Sequence, residues 1–120
     1  MRKTGVTLMA LTVLANAAAE AQESQTLAER GASIYANSCA PCHAQRPDSA
    51  PILPGAQSLS IKYAGSLSPY IEERPDLANA QVLTGFLRAG VGSMPPFRKT
   101  EISDEDIAAI AAFLAQTSSD

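Results

Sequence analysis

Cys39, Cys42 and His43 stand within five consecutive positions, and the chain contains no other cysteine or histidine. Thiols and imidazoles bind metals, exchange disulfides and form covalent bonds, so this concentration points to a single site. A disulfide between the two cysteines suits an oxidising compartment. A thioredoxin-like redox pair has the same spacing but belongs to a βαβ setting, which the sequence does not offer. Structural zinc takes four protein ligands, and only three are present. None of these readings uses the histidine directly behind the second cysteine. Cys-x-x-Cys-His does use it, as the attachment signature of c-type haem. The thiols add across the two vinyl groups of the porphyrin, and the adjacent imidazole becomes the proximal ligand of the iron.

The other axial position of such an iron then needs an occupant. Beyond residue 9 the chain has one methionine, Met94, which is followed by Pro95 and Pro96. Most methionines fill cores. One that precedes two prolines in a glycine-flanked loop suits a thioether held at the iron instead. Histidine and methionine together raise the reduction potential and favour electron transfer. They leave no open coordination site, which counts against an enzyme. A haem enzyme or gas sensor would need a labile Met94, and an enzyme would also need a distal acid–base group that no second histidine can supply.

The elements that position these residues can be read outward from them. Arg2 and Lys3, the apolar stretch Val6–Ala15 and the small-residue ending Ala19-Glu20-Ala21 have the form of a bacterial secretory signal peptide. Residues 1–21 are therefore expected to be cleaved, leaving a single domain over residues 22–120 in the periplasm. Thr7, Thr12 and Asn16 break the apolar run, which falls short of the roughly 18 residues of a spanning helix, so no stable membrane anchor is expected. Thr26-Leu-Ala-Glu29 has capping-box spacing and predicts a helix to Asn37, with Leu27, Ile34 and Tyr35 inward and Gly31 at a close approach. Residues 46–68, rich in proline, serine and glycine, predict a structured loop with one short helix at most. Ser68-Pro69 opens a helical turn that Pro75 stops. Asn79–Ala89 reads as a helix burying Val82, Leu83, Phe86 and Leu87, with Gly90 at its end. Ser103 caps a last helix whose first turn is acidic and whose Ile107, Ile110, Ala111 and Leu114 recur at helical spacing. No strand pattern competes, so the fold class is all-α.

Bulk properties narrow the function further. A formal net charge of −3 without a basic stripe argues against nucleic-acid binding. The absence of tryptophan leaves a thin protein core, which a small domain usually supplements with a metal, disulfide or cofactor.

Cys39-Ala-Pro-Cys42-His43, a distant Ser93-Met94-Pro95-Pro96-Phe97 and an acid-capped terminal helix together resemble a class I c-type cytochrome, over nearly all of residues 22–120. The resemblance implies a small cytochrome c-like domain whose first and last helices cross beside one covalently attached haem c, here with Gly31 and Tyr35 against Phe113. It also implies a proline carbonyl accepting the proximal histidine's N–H. Ala50-Pro51-Ile52-Leu53 is the nearest match, lacking the family's glycine, and makes Pro51 the candidate. The function it implies is one-electron transfer between protein partners, with a dehydrogenase as donor and an oxidase or another cytochrome as acceptor. The run Leu87–Phe97 and the size are also similar to the small cytochrome subunits of flavin dehydrogenases of the p-cresol methylhydroxylase type. That likeness implies instead an electron-accepting subunit of a flavin or quinoprotein dehydrogenase. Arg46, Arg88, Arg98 and Lys99 lie near the motif or Met94, either as part of an ordinary mixed surface or as a local basic collar for acidic partners. The sequence assigns no role to Tyr63 or Tyr70; either hydroxyl could reach a haem propionate, and nothing chooses between them.

Overall fold

A computed structural model of the protein describes residues 5–119, with side chains described from Asn16 onward. Five α-helices follow one another: α1 (Gly5–Ser38), α2 (Ala40–His43), α3 (Pro54–Tyr63), α4 (Ala80–Ala89) and α5 (Asp104–Thr117). Two single-turn 3-10 helices, Ile71–Glu73 and Pro75–Leu77, connect α3 to α4. Among the described residues there is no strand, only an isolated bridge between Val91 and Met94. The architecture is all-α, as the periodicities predict.

The frame is the crossing of α1 and α5. Gly31 lies so close to α5 that a Cβ there would overlap the Ala109 carbonyl. Four residues on, Tyr35 stacks at a tilt on Phe113 with ring centroids 5.1 Å apart. Arg30 reaches over the crossing to Asp106 at 2.6 Å. The sequence starts α5 sharply: the Ser103 hydroxyl accepts from the Asp106 N–H, and the Asp106 carboxylate accepts from the Ser103 N–H. Asp104, Glu105 and Asp106 place negative charge at the positive end of the helix. Behind the crossing, Leu83 and Leu87 of α4 pack with Ile107, Ile110 and Leu114 of α5, together with Leu77 and Ile102.

Several expectations need correction. No capping box forms at Thr26, because α1 is already helical upstream and the N–H groups there are satisfied within the helix. The Thr26 hydroxyl instead donates back to the Glu23 carbonyl at 2.8 Å. Leu27 is 37% exposed, and the face toward α5 carries Ala28, Gly31 and Tyr35. Ala28 and Gly31 allow the close approach that the crossing requires, and Tyr35 packs beside them on Phe113. Val82 is likewise 40% exposed, at the edge of an α4 stripe that buries Leu83 and Leu87. Pro75 ends one helical turn but also opens the next, as its fixed φ allows.

The expected signal segment falls partly on residues 1–4, which lie outside the described residues. From Asn16 to Leu27 every side chain of α1 is exposed, and buried packing begins at Ala28. Among the described residues, no helix is long and apolar enough to cross a membrane.

Candidate functional site

The cysteine motif folds as one tight helical turn. The Cys42 and His43 N–H groups both donate to the Cys39 carbonyl, at 3.1 and 3.0 Å, and Ala44 donates to Ala40. Positions i, i+3 and i+4 of a helical turn share a side, so Cys39, Cys42 and His43 face the same way. They face a cavity of about 450 Å³ that all three help to line. The thiols are free.

α3 forms an adjoining wall. Pro54, Gly55, Ser58, Leu59, Lys62 and Tyr63 recur at intervals of four and all line the cavity. Its first turn rests on the histidine: a Cβ on Gly55 would lie 2.6 Å from His43 Cε1 and 2.8 Å from Nδ1. The His43 Nδ1 is buried without a hydrogen-bond partner. Burial holds the imidazole's pKa below its ordinary value, against a smaller opposing effect of Glu72, which favours the neutral form a metal needs. Burial, reinforced by Glu72, also pushes the Cys39 thiol up to about 11. The same two causes raise the Tyr35 phenol, although its hydroxyl and Glu72 Oε2 are not at hydrogen-bond geometry.

Met94 reaches the same cavity from the loop after α4. Val91 and Met94 exchange two backbone hydrogen bonds, at 3.1 and 2.9 Å, around Gly92-Ser93. Gly90, with φ +69°, ends α4 where a side chain would strike the Met94 carbonyl and the Pro96 nitrogen. Beyond the prolines, the Phe97 N–H donates to the Leu87 carbonyl at 2.7 Å. Arg88 then clasps the loop, donating to the Phe97 and Ile102 carbonyls at 3.0 and 2.9 Å and to Asp104 at 2.7 Å.

Of the residues expected at the site, Cys39, Cys42, His43 and Met94 come together in one cavity, whereas Pro51 does not. Pro51 is exposed and lies outside the wall, and no bond from His43 to its carbonyl forms. The chain between Gln45 and Ile52 runs almost wholly at the surface and returns at Pro54-Gly55. The collar is corrected as well. Arg88 and Lys99 share Asp104 and Arg98 pairs with Glu101, so most of this charge is neutralised, while Arg46 has no ion pair among the described residues. Tyr63 lines the cavity and Tyr70 does not. Arg74, also on the wall, is 4% exposed. The sequence assigns it no role, because a lone arginine before a proline carries no periodic signal of burial.

A porphyrin fits what is present. The wall is mostly apolar, two thiols stand one turn apart, and the neighbouring imidazole is half-buried, its Nδ1 buried and unsatisfied. Cys39 and Cys42 would hold the group covalently, and His43 and Met94 line the same cavity with an imidazole and a thioether, both donors suited to its iron. No curated protein and no solved structure matches the chain. A family described as cytochrome c oxidase, cbb3-type, subunit III does match, over residues 26–114. That span contains the cysteine motif, α3, the Met94 loop and most of α5, so the chain belongs to this family: it is a class I monohaem cytochrome c domain with covalently bound c-type haem.

Proposed function

We propose that this protein is a periplasmic one-electron carrier, its haem attached through Cys39 and Cys42 and ligated by His43 and Met94. The observation that carries this reading is the convergence of His43 and Met94 on one cavity, since neither residue type recurs in residues 22–120. The bound haem supplies reversible one-electron chemistry. The chain's own contribution is to hold the two ligands and exclude water. Gly55 packs on the imidazole, and the Val91–Met94 turn with the Arg88 clasp fixes the thioether, which keeps reorganisation small. With both axial positions filled by side chains, its substrates are other proteins, a dehydrogenase giving electrons and an oxidase or second cytochrome taking them.

The ligand assignment is tested by Met94→Ala in the holoprotein. The iron–sulfur charge-transfer band should vanish, the reduced protein should bind carbon monoxide, and the potential should fall. An unchanged spectrum would transfer the ligand role to another residue. Export with removal of residues 1–21 is supported by the exposed stretch Asn16–Leu27, which adds nothing to the core. The mass of protein recovered from the periplasm should correspond to a chain starting at Gln22.

One observation favours the second reading, a cytochrome subunit bound to a dehydrogenase. The basic residues near Met94 are paired with acids, while Val91, Pro95 and Pro96 beside it are exposed and apolar. Electrostatic steering weakens as salt shortens the Debye length, about 8 Å at physiological strength. A transfer rate that falls steeply with salt fits the diffusing carrier. A rate indifferent to salt, with co-purification of a dehydrogenase, fits the subunit.

A further inference from the structure

Behind the cysteine turn lies a carboxylate that electron transfer has not yet called upon. Cys39 directly follows α1, its N–H donating to the Tyr35 carbonyl at 2.9 Å. The 3-10 turn Ile71–Glu73 packs into this corner: Ile71 lies against the same core as Tyr35, Cys39 and Ala40, and it also lines the cavity. Its neighbour Glu72 stands off the cavity wall and is half-buried, with Oε2 shut away and without a hydrogen-bond partner. The Tyr35 hydroxyl and His43 Nδ1 are buried and unpartnered as well.

The charge at this corner is not cancelled. Glu72 forms no ion pair among the described residues, and Arg74, two positions on, gives Nε and Nη2 to Asp76. Burial is the larger influence on Tyr35, Cys39 and His43, and the Glu72 carboxylate acts next on all of them. It adds to the upward shifts of the phenol and the thiol and opposes the downward shift of the imidazole.

Ferric haem carries one more positive charge than ferrous haem, so a nearby anion favours the ferric state. Such a field is screened far less inside a protein than at its surface. A ligating imidazole also normally donates its outer N–H to an acceptor, which strengthens it as a ligand. His43 lacks the expected bond to Pro51, and the anion felt by its ring is Glu72.

We propose that Glu72 tunes the haem from behind the cysteine turn, its carboxylate favouring the ferric state and holding the reduction potential below the value that the two axial ligands alone would give. Glu72 acts through the His43 side of the porphyrin as a positioning charge. The inference rests on His43 and Met94 as ligands and not on the identity of the redox partners.

The test measures midpoint potentials of holoproteins at low and high salt. Glu72→Gln keeps the size and polarity of the side chain and removes its charge. The potential should rise, and the rise should persist at high salt. Glu73→Gln removes the same charge from the exposed neighbouring position, where the carboxylate accepts from the Ser68 hydroxyl, and should leave the potential close to wild type. Glu72→Leu should raise the potential as Glu72→Gln does, and Glu72→Asp should stay nearer to wild type than either. A potential unmoved in Glu72→Gln, or moved equally by Glu73→Gln, overturns the proposal. A shift in Glu72→Leu alone also overturns it, since a polar brace without a charge role would behave that way. Should Glu72→Gln fail to yield holoprotein, equal potentials in Glu72→Leu and Glu72→Asp would overturn it. Retention of the iron–sulfur band throughout keeps these outcomes distinct from a failure of the axial assignment, which would change the spectrum itself.

Discussion

Gly55 shows how much a single position can control when backbone meets the His43 ring. A methyl there would press on the His43 ring at 2.6 Å and on the Cys42 carbonyl at 2.7 Å, and neither can retreat without moving α2 or α3. Gly55→Ala is therefore expected to destabilise the holoprotein by about 1–3 kcal/mol, the usual cost of overpacking. It should also alter the ferric electron paramagnetic resonance g-values, which report the orientation of the imidazole plane. Gly85 is the control. It is exposed inside α4, and a Cβ there meets nothing within 4 Å. Gly85→Ala should stabilise by about 0.5–1 kcal/mol through backbone entropy and leave the spectrum alone. Thermal melts of both variants decide the pair. At this scale the sequence discloses residues whose types are scarce: Cys39, Cys42, His43 and Met94 could be named because nothing else competes for their roles. It does not disclose Gly55, Arg74 or the displacement of Pro51. Those depend on where a surface loop re-enters the fold, and composition carries no record of that.

Among the elements, α5 was the most legible and α3 the least. Ser103, Asp106 and the repeat Ile107, Ile110, Leu114 state a start and a buried face within twelve residues, and the structure forms both. α3 turns a mixed face of proline, glycine, serine and tyrosine toward a cofactor cavity, so no apolar stripe marks it. At the α1–α5 crossing Gly31 was legible as a close approach, whereas Ala28, which hydropathy overlooks, was not. Charge ties that crossing together. The Asp106 carboxyl is held below its ordinary range first by hydrogen bonds from Ser103 and then by Arg30. A carboxylate with a depressed folded pKa contributes stability that is complete above its unfolded value, about 3.9. That contribution is lost as pH falls through the folded value. Asp106→Asn keeps an acceptor for the Ser103 N–H but removes the charge. It should cost about 0.5–1 kcal/mol near neutral pH. The gap in melting temperature from wild type should close as pH falls below about 4. A gap that persists in acid would mean that the cap geometry, not the charge, does the stabilising.

For the whole molecule, the decisive quantity is the cavity. Its volume of about 450 Å³ lies between α2, α3, α4 and α5, in a domain with no tryptophan and three phenylalanines to fill space. The cleft is part-open to solvent and mostly apolar in its lining, so without a group to fill it apolar surface stays wet. Total stabilities of small domains run to only about 5–15 kcal/mol, so that lost burial weighs on a haem-free fold. The composition already pointed to a missing core component. What the cavity adds is where the component sits: against Leu83, Leu87, Ile110 and Leu114, the same side chains that join α4 to α5. Haem attachment and helix docking are therefore expected to be coupled in this chain. The variant Cys39→Ala/Cys42→Ala, prepared without haem, should keep part of its helical far-ultraviolet dichroism and lose near-ultraviolet dichroism and a cooperative melt. It should also bind a hydrophobic dye. A haem-free variant that melts as sharply and as high as the holoprotein would show that α1, α4 and α5 assemble without the cofactor, and the cavity would then be a preformed receptor instead of the centre of the fold.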